Sequence, residues 1–454
     1  MMTSTKMKTA NHHFRVLVAL ALVATMAAML LATGRSAQAA STTFTVDSTV
    51  DAADAIQTDN ICDADVSNAQ VCTLRAAIEQ ANTNNNPTEA DRINFNIPGT
   101  GVKTISPGSA LPTITEPVVI DGYSQPGSSP NTLAKGTNAV LNIQLNGTNA
   151  GEFSAGLDID APNSVVKGLV INRFGSFGVR ALDGGSGSTI EGSFIGTNPS
   201  GTLDRGNHTG GVSLFFESAN IAVGDNTPAA RNLISGNDGR GVEIFVSTGN
   251  EVMGNLIGTK RDGVGSLGNL DEGVSLFGSS DNTIGDGTTE GANTIAFNGL
   301  DGVRVRTSTS DEGTDNSVFR NSIFSNGDLG IDLNDDGPTA NDAGDPDTGP
   351  NNLQNKPLLS SAANASGKST IKGKLNSNAS QTYTVEFYSN PAGTDEGKKF
   401  IGQKSVTTDS SGSVSFTFSP ATKVPAGQAI TATATNGSTG DTSEFSAPRK
   451  VVAS

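Results

Sequence analysis

The 454-residue chain has no tryptophan, three tyrosines, three histidines and two cysteines, and only 16% of its residues are charged. Scarce Glu, Lys and Arg beside 54 glycines and 41 asparagines disfavour a helical protein, because Gly and Asn are poor helix formers. A formal charge of −16 lacks the basic surface that nucleic acid requires, so no nucleic-acid partner is expected. The two cysteines, Cys62 and Cys72, stand ten positions apart, and one local disulfide is their simplest reading. With no other Cys and one histidine after residue 39, His208, a Cys/His metal centre is disfavoured. Leu, Ile, Val and Phe remain plentiful, and the mixture suits many short strands joined by tight turns.

Residues 1–39 read as a secretory signal peptide. Lys6, Lys8 and Arg15 precede an apolar run from Val16 to Leu31, and Ala37-Gln38-Ala39 is a small-x-small cleavage site. The run is shorter than the ~20 residues of a membrane span, and no second run of spanning length follows. Removing this leader leaves 25 basic and 45 acidic side chains, a net of −20. Export to a secreted or cell-surface location permits disulfides.

The chain then divides at 40–92, 93–350 and 351–454. In the first stretch, an Asp-rich loop precedes one helix over 73–82, with Leu74, Ala77, Ile78 and Ala81 on a single face. Thr73 can cap its start, and the helix suits a lid over open strands. In the second, Gly followed by Val or Ile opens a strand at Gly178, Gly211, Gly241, Gly273, Gly302 and Gly330, at intervals of 33, 30, 32, 29 and 28 residues. Two further short strands fit between each pair. Three strands per turn of about 30 residues describe a parallel β-helix, here of about ten coils. Val212, Val242, Val274, Val303 and Ile331 form one inward column, and Leu214, Ile244, Leu276, Val305 and Leu333 the next. Asn237, Asn255, Asn298 and Asn326 are candidates to stack at one corner. The last stretch has longer, alternating strands such as Ser413 to Phe418, and resembles an immunoglobulin-like β-sandwich.

Three segments carry a family resemblance. Val71-Cys72-Thr73-Leu74-Arg75-Ala76-Ala77-Ile78, continuing to Asn82, resembles the CSLREA cap motif of exported bacterial proteins, with Thr73 in place of Ser and Ala76 in place of Glu. Leu111 to Gly127 is similar to the first coils of those proteins, and Gly330 to Pro357 to their exit from the helix. The resemblance implies an all-β fold: a right-handed parallel β-helix of pectate-lyase-like shape. It carries little chemistry.

Candidate site residues lie on outward positions. Arg180, Ser213, Glu243, Ser275, Arg304 and Asp332 would form a polar ladder, and Phe215, Phe245 and Phe277 an aromatic stack with Arg306 beyond. Stacked aromatics offer apolar contact to sugar faces, unless a loop or a corner covers them. Arg180, Arg304 and Arg306 are the candidates for the base of a lyase. The run Asn269-Leu270-Asp271-Glu272 superficially resembles the Asn-x-Asp of pectin hydrolases, against a solvated turn. Asp332, Asn334 and Asp336 match the opening of a calcium loop, with Ala343 where its last Glu would stand; Asp342, Asp345 and Asp347 follow as further oxygen ligands. Asp51, Asp54, Asp59, Asp63 and Asp65 form a second acidic loop. The reading is a secreted or cell-surface protein that binds extracellular polysaccharide or cell envelope, with calcium as its candidate cofactor. Two alternatives stand beside it: a polysaccharide lyase or glycoside hydrolase on the same fold, and a structural adhesin or matrix component.

Overall fold

A computed structural model describes residues 41–454 apart from 65–70, 85–88, 310 and 454. Residues 1–39, expected as a signal peptide, and Asp65 lie outside the described residues. The strands alternate in threes, and every pairing between successive coils is parallel. Sheet 1 stacks nine strands from Thr43–Val46 to Ser317–Val318, sheet 2 eight from Lys103–Ile105 to Ser322–Phe324, and sheet 3 seven from Leu157–Ile159 to Ile331–Leu333. This is a parallel β-helix. Among the described residues the longest sheet has nine strands, close to the expected ten or so coils, and at one strand spacing per coil the stack is roughly 40 Å long. The two inward columns of sheet 3 pair in the register that the repeats predict, Val212 with Val242, Val274, Val303 and Ile331, and Leu214 with Ile244, Leu276, Val305 and Leu333. All ten are buried in one continuous core.

Corners are fixed by buried asparagines that bond side chain to side chain. One ladder runs Asn207, Asn237, Asn269, Asn298, Asn326, with Nδ2 to Oδ1 distances of 3.0, 2.8, 2.9 and 3.0 Å. A second runs Asn232, Asn255, Asn293, Asn321. A third links Asn250, Asn282 and Asn316. Asn255 therefore does not stack with Asn237 and Asn298; it occupies another corner. Each amide both donates and accepts, so a column of them satisfies corner backbone groups that no sheet can reach.

The helix spans Leu74–Thr83. Thr73 Oγ1 accepts from Ala76 N at 3.0 Å, and Leu74, Ala77, Ile78 and Ala81 are buried against the first coils. Cys62 and Cys72 are disulfide-bonded beside it. The acidic loop ties this cap down. Asp51 pairs with Arg75 at 2.8 Å, Asp54 accepts from Gln80 and from Asp63 N, and Asp59 accepts from Ile61 N and Gln80.

Residues 358–453 form a mixed, nearly closed β-sandwich. Its strand order is Lys399–Thr407, Thr382–Asn390, Ala429–Asn436, Arg449–Ala453, Leu358–Ala365, Lys368–Asn376, Ser413–Phe418. Tyr383, Phe387, Ile371, Leu375 and Ile430 fill its core. This domain closes the open end of the helix. Glu396 accepts from Asn326 Nδ2 at 3.0 Å and so terminates the first ladder. Glu386 accepts from Arg320 N at 2.8 Å and Asp441 from Asp315 N at 2.7 Å. Ile323 and Gly397 exchange two backbone bonds. Groups that would otherwise be a bare sheet edge are thereby paired.

Candidate functional site: the outer face of the third sheet

Period-2 alternation sends one residue in two of sheet 3 outward, and parallel register lines those residues up. Phe215, Phe245, Phe277 and Arg306 are direct register partners. The three rings stack with centroids 5.3 and 5.2 Å apart and planes 11° and 13° from parallel. The Arg306 guanidinium stands 5.4 Å over Phe277 and closes one end of the stack. Phe215, 37% exposed, is the open end, with Phe216 tilted beside it. Because the rings cover one another's faces, the strip presents ring edges to solvent. This changes the expectation of a platform for sugar faces: Phe245 is covered on both faces, and the most exposed rings are Phe215 and Phe216 at the open end.

The neighbouring column, expected as a solvated polar ladder, is mostly covered. Ser213, Ser275, Arg304 and Asp332 are buried, and Arg180 and Glu243 are half-buried. Ion pairs and hydrogen bonds within and across coils accompany this burial. Arg180 grips Asp158 with two bonds, Ser213 donates to Glu243 at 3.1 Å, and Arg240 reaches Glu243 and Glu272, each at 3.2 Å. Arg304 joins Glu272 to Asp335, the latter at 2.7 Å. Glu272 is fully buried and Asn269 belongs to the first ladder, so only the middle of Asn269–Glu272, Leu270 and Asp271, reaches solvent. Burial and the nearby Arg306 lower the pKa of Arg304 from its ordinary value. Its guanidinium is engaged by three carboxylates, Glu272, Asp335 and, at 3.8 Å, Asp301, which removes it from service as a lyase base.

The face ends in an open cleft of about 340 Å³ lined by Asp301, Asp328, Leu329, Asp332, Asp335 and Pro338. Carboxylate oxygens of Asp301, Asp332 and Asp335 come within 4.8 Å of one another. Burial, then the charge of Asp332, pushes Asp301 up to about 7. Burial, then the charge of Glu444, pushes Asp332 up to about 6. Asp301 carried no sequence signal. It lies one residue before a repeat glycine, and only the coil register brings it beside Asp332.

The six residues expected as one calcium set are divided. Asp332 belongs to the cleft. Asn334 and Asp335 take left-handed backbone conformations, with φ of 91° and 62°, which swing the following turn away. Asn334 Nδ2 then bonds Asp336 Oδ2 at 3.1 Å in an exposed turn. Asp342, Asp345 and Asp347 converge separately, with oxygens within 4.8 Å. Asp345 accepts from Asn355 N, Gln354 Nε2 and Ser377 Oγ, and burial holds its pKa near about 6. Asp347 Oδ1 is buried without a hydrogen-bond partner. His208 is exposed, 3.8 Å from Asp238.

A second outward surface escaped sequence reading. On sheet 2 the outward residues Phe194, Leu233 and Leu256 are apolar, and Ala139 and Leu141 pack over them. Arg231 and Arg261 hold that covering segment through the carbonyls of Leu133, Gly136, Thr137 and Ala139. Sheet 3 is therefore the helical face whose aromatic strip reaches solvent. Among the described residues, no helix is long and apolar enough to cross a membrane. No protein-family model matches the chain, and a search of curated proteins returns no match.

Proposed function

We propose that the chain is an exported bacterial protein of the CSLREA-capped type that engages extracellular polysaccharide or cell envelope along the outer face of sheet 3. The observation that carries this reading is the Phe215–Phe245–Phe277 strip. About 10 Å of partly exposed apolar surface stands in register beside fixed guanidinium and carboxylate groups. Such a pairing suits a sugar chain, whose CH groups need apolar contact and whose hydroxyls need oriented polar partners. Residues 41–357 carry 16 basic and 39 acidic side chains, so the sugar that suits this face is neutral. The test is a glycan panel with the intact chain and with Phe215→Ala. Retention of a neutral glycan that falls at least tenfold in the variant supports the reading. No retention would favour the adhesin or matrix role.

Two carboxyl groups of raised pKa in the cleft favour a second reading, glycoside hydrolysis. Protonated Asp301 would donate to the leaving oxygen and the Asp335 carboxylate would attack the sugar carbon as nucleophile, with water then releasing the glycosyl group, because oxygens within 4.8 Å leave no room for a water between an acid and a base. Release of reducing ends that Asp301→Asn abolishes would support it. A calcium ion is proposed at Asp342, Asp345 and Asp347, where the unpartnered Asp347 Oδ1 supports a ligand role. Calorimetry showing no uptake, with an unchanged melting point in chelator, would remove it.

A further inference from the structure

The β-helix and the C-terminal sandwich carry opposite charge. Residues 358–454 hold nine basic and six acidic side chains, against the strongly acidic residues 41–357. Position sharpens the contrast. Glu386, Glu396, Asp441 and Glu444 are buried, with exposures of 1, 7, 2 and 3%, and all four bond residues of the segment 315–356. Only Asp395 and Asp409 are left to face solvent on this domain.

The lysines are not spent in the same way. Lys368, Lys372 and Lys374 project from one side of the strand Lys368–Asn376, with Thr370 between them, while Ser369, Ile371, Gly373 and Leu375 turn inward. Among the described residues, the ion pairs of lysine are Lys167 with Asp121 and Lys356 with Glu444, so these three have none. The adjoining strand continues the same face with the exposed hydroxyls of Ser413, Ser415 and Thr417, in register with it: Lys372 opposite Thr417 and Lys374 opposite Ser415. Ser360 borders the other side. Lysines often guard a free strand edge against aggregation. That does not account for these, because their strand lies inside the sheet, and the edge strand Ser413–Phe418 has no lysine.

We propose that this lysine–hydroxyl face is a binding site for an anionic polysaccharide, one bearing a carboxylate, sulfate or phosphate at regular intervals. Lys372 and Lys374 stand ~7 Å apart along an extended strand, a linear array of cations suited to a linear array of anions. Flanking hydroxyls supply hydrogen bonds to sugar oxygens. The acidic helix repels the same polymer, so contact is confined to the sandwich. The site is separate from the sheet 3 face and does not depend on it.

The experiment measures binding of polygalacturonate to the full chain, with neutral dextran, duplex DNA and the free chain at rising concentration as comparisons. The variants are Lys368→Thr/Lys372→Thr/Lys374→Thr and, as a control, Phe215→Ala; unchanged circular dichroism and melting point show that each is folded. Binding of polygalacturonate is expected at low salt, weakening steeply as sodium chloride rises. It is expected to fall at least tenfold in the triple variant and to be unaltered in Phe215→Ala. Three results would overturn the proposal: no binding, binding that the triple variant retains, or duplex DNA bound as tightly as polygalacturonate. Self-association abolished by the triple variant, without polygalacturonate binding, would instead assign the face to a second copy of this chain.

Discussion

Replacing Asn269 with alanine probes how far the corner ladders hold successive coils together. Asn269 is 1% exposed. Its Oδ1 accepts from Asn237 N at 3.1 Å and from Asn237 Nδ2 at 2.8 Å; its Nδ2 donates to Asn298 Oδ1 at 2.9 Å and to Ile234 O at 3.1 Å. Not all of these partners are stranded by the change. Asn298 Oδ1 keeps a bond from Asn269 N, Ile234 O keeps one from Gly258 N, and Asn237 Nδ2 keeps one to Ile195 O. The group left alone is the buried Asn237 N–H, which costs about 1–3 kcal/mol. Loss of the stronger Nδ2 bond adds about 1 kcal/mol. The expected total is about 3 kcal/mol, read as a lower urea midpoint at an unchanged slope.

Asn269→Asp separates hydrogen bonding from volume. A carboxylate still accepts from Asn237, but it places negative charge against Asn298 Oδ1 and Ile234 O in a buried corner. It is expected to destabilise more than alanine at pH 8, and to recover as the pH falls and the carboxyl regains a donor. A cost below 1 kcal/mol for Asn269→Ala, or an aspartate variant indifferent to pH, would refute the view that the ladder carries this load.

Three further outcomes follow from the geometry. Phe245→Ala removes two stacked ring contacts, so it should lower stability by about 2 kcal/mol in urea unfolding as well as any glycan retention; no loss of stability would mean that the stack is not formed. Asp301 favours its protonated form in the folded chain, with a pKa near about 7 against the ordinary 3.8. Its contribution is therefore fully present below pH 3.8 and lost as pH rises through about 7. Asp301→Asn should flatten the fall in stability across that window, and an unchanged pH slope in thermal unfolding would refute it. Reduction of Cys62–Cys72 should destabilise the cap by up to about 3 kcal/mol. Limited proteolysis should then cut near residues 56–71 first, with the helix body intact; equal cleavage with and without reductant would count against the bridge as a clamp.

The inward columns were legible because burial repeats at a constant interval. Gly211-Val212 and its counterparts mark each strand start, and the apolar residues that follow have no alternative to the core. The helix over 74–83 was legible for the same reason, through Leu74, Ala77, Ile78 and Ala81. Corners were harder. Asn255 and Asn237 are both asparagines after short strands, yet they belong to different corners, because the intervals between corners vary with the loops. The candidate site was harder still. Alternation placed Phe215, Phe245, Phe277 and Arg304 on the outer face, but it says nothing of what an outward charge meets. Arg304 is covered because Glu272, Asp301 and Asp335 converge on it from three separate turns.

The same limit explains why a calcium loop was expected where Asp332 is parted from Asn334 and Asp336. The D-x-N-x-D-G spacing gathers oxygens around an ion only where the chain winds into a loop from its first residue, whereas Asp332 is the last outward residue of a strand and Asn334 already lies in a left-handed turn. Coil register supplies the missing partners, since Asp301 sits one coil earlier beside the start of a paired strand. In this solenoid the cluster is assembled across coils, Asp301 from one and Asp332 with Asp335 from the next. A pattern sought within 12 consecutive residues misses it, because Asp301 and Asp332 stand 31 residues apart and the direct register partner of Asp332 is Arg304.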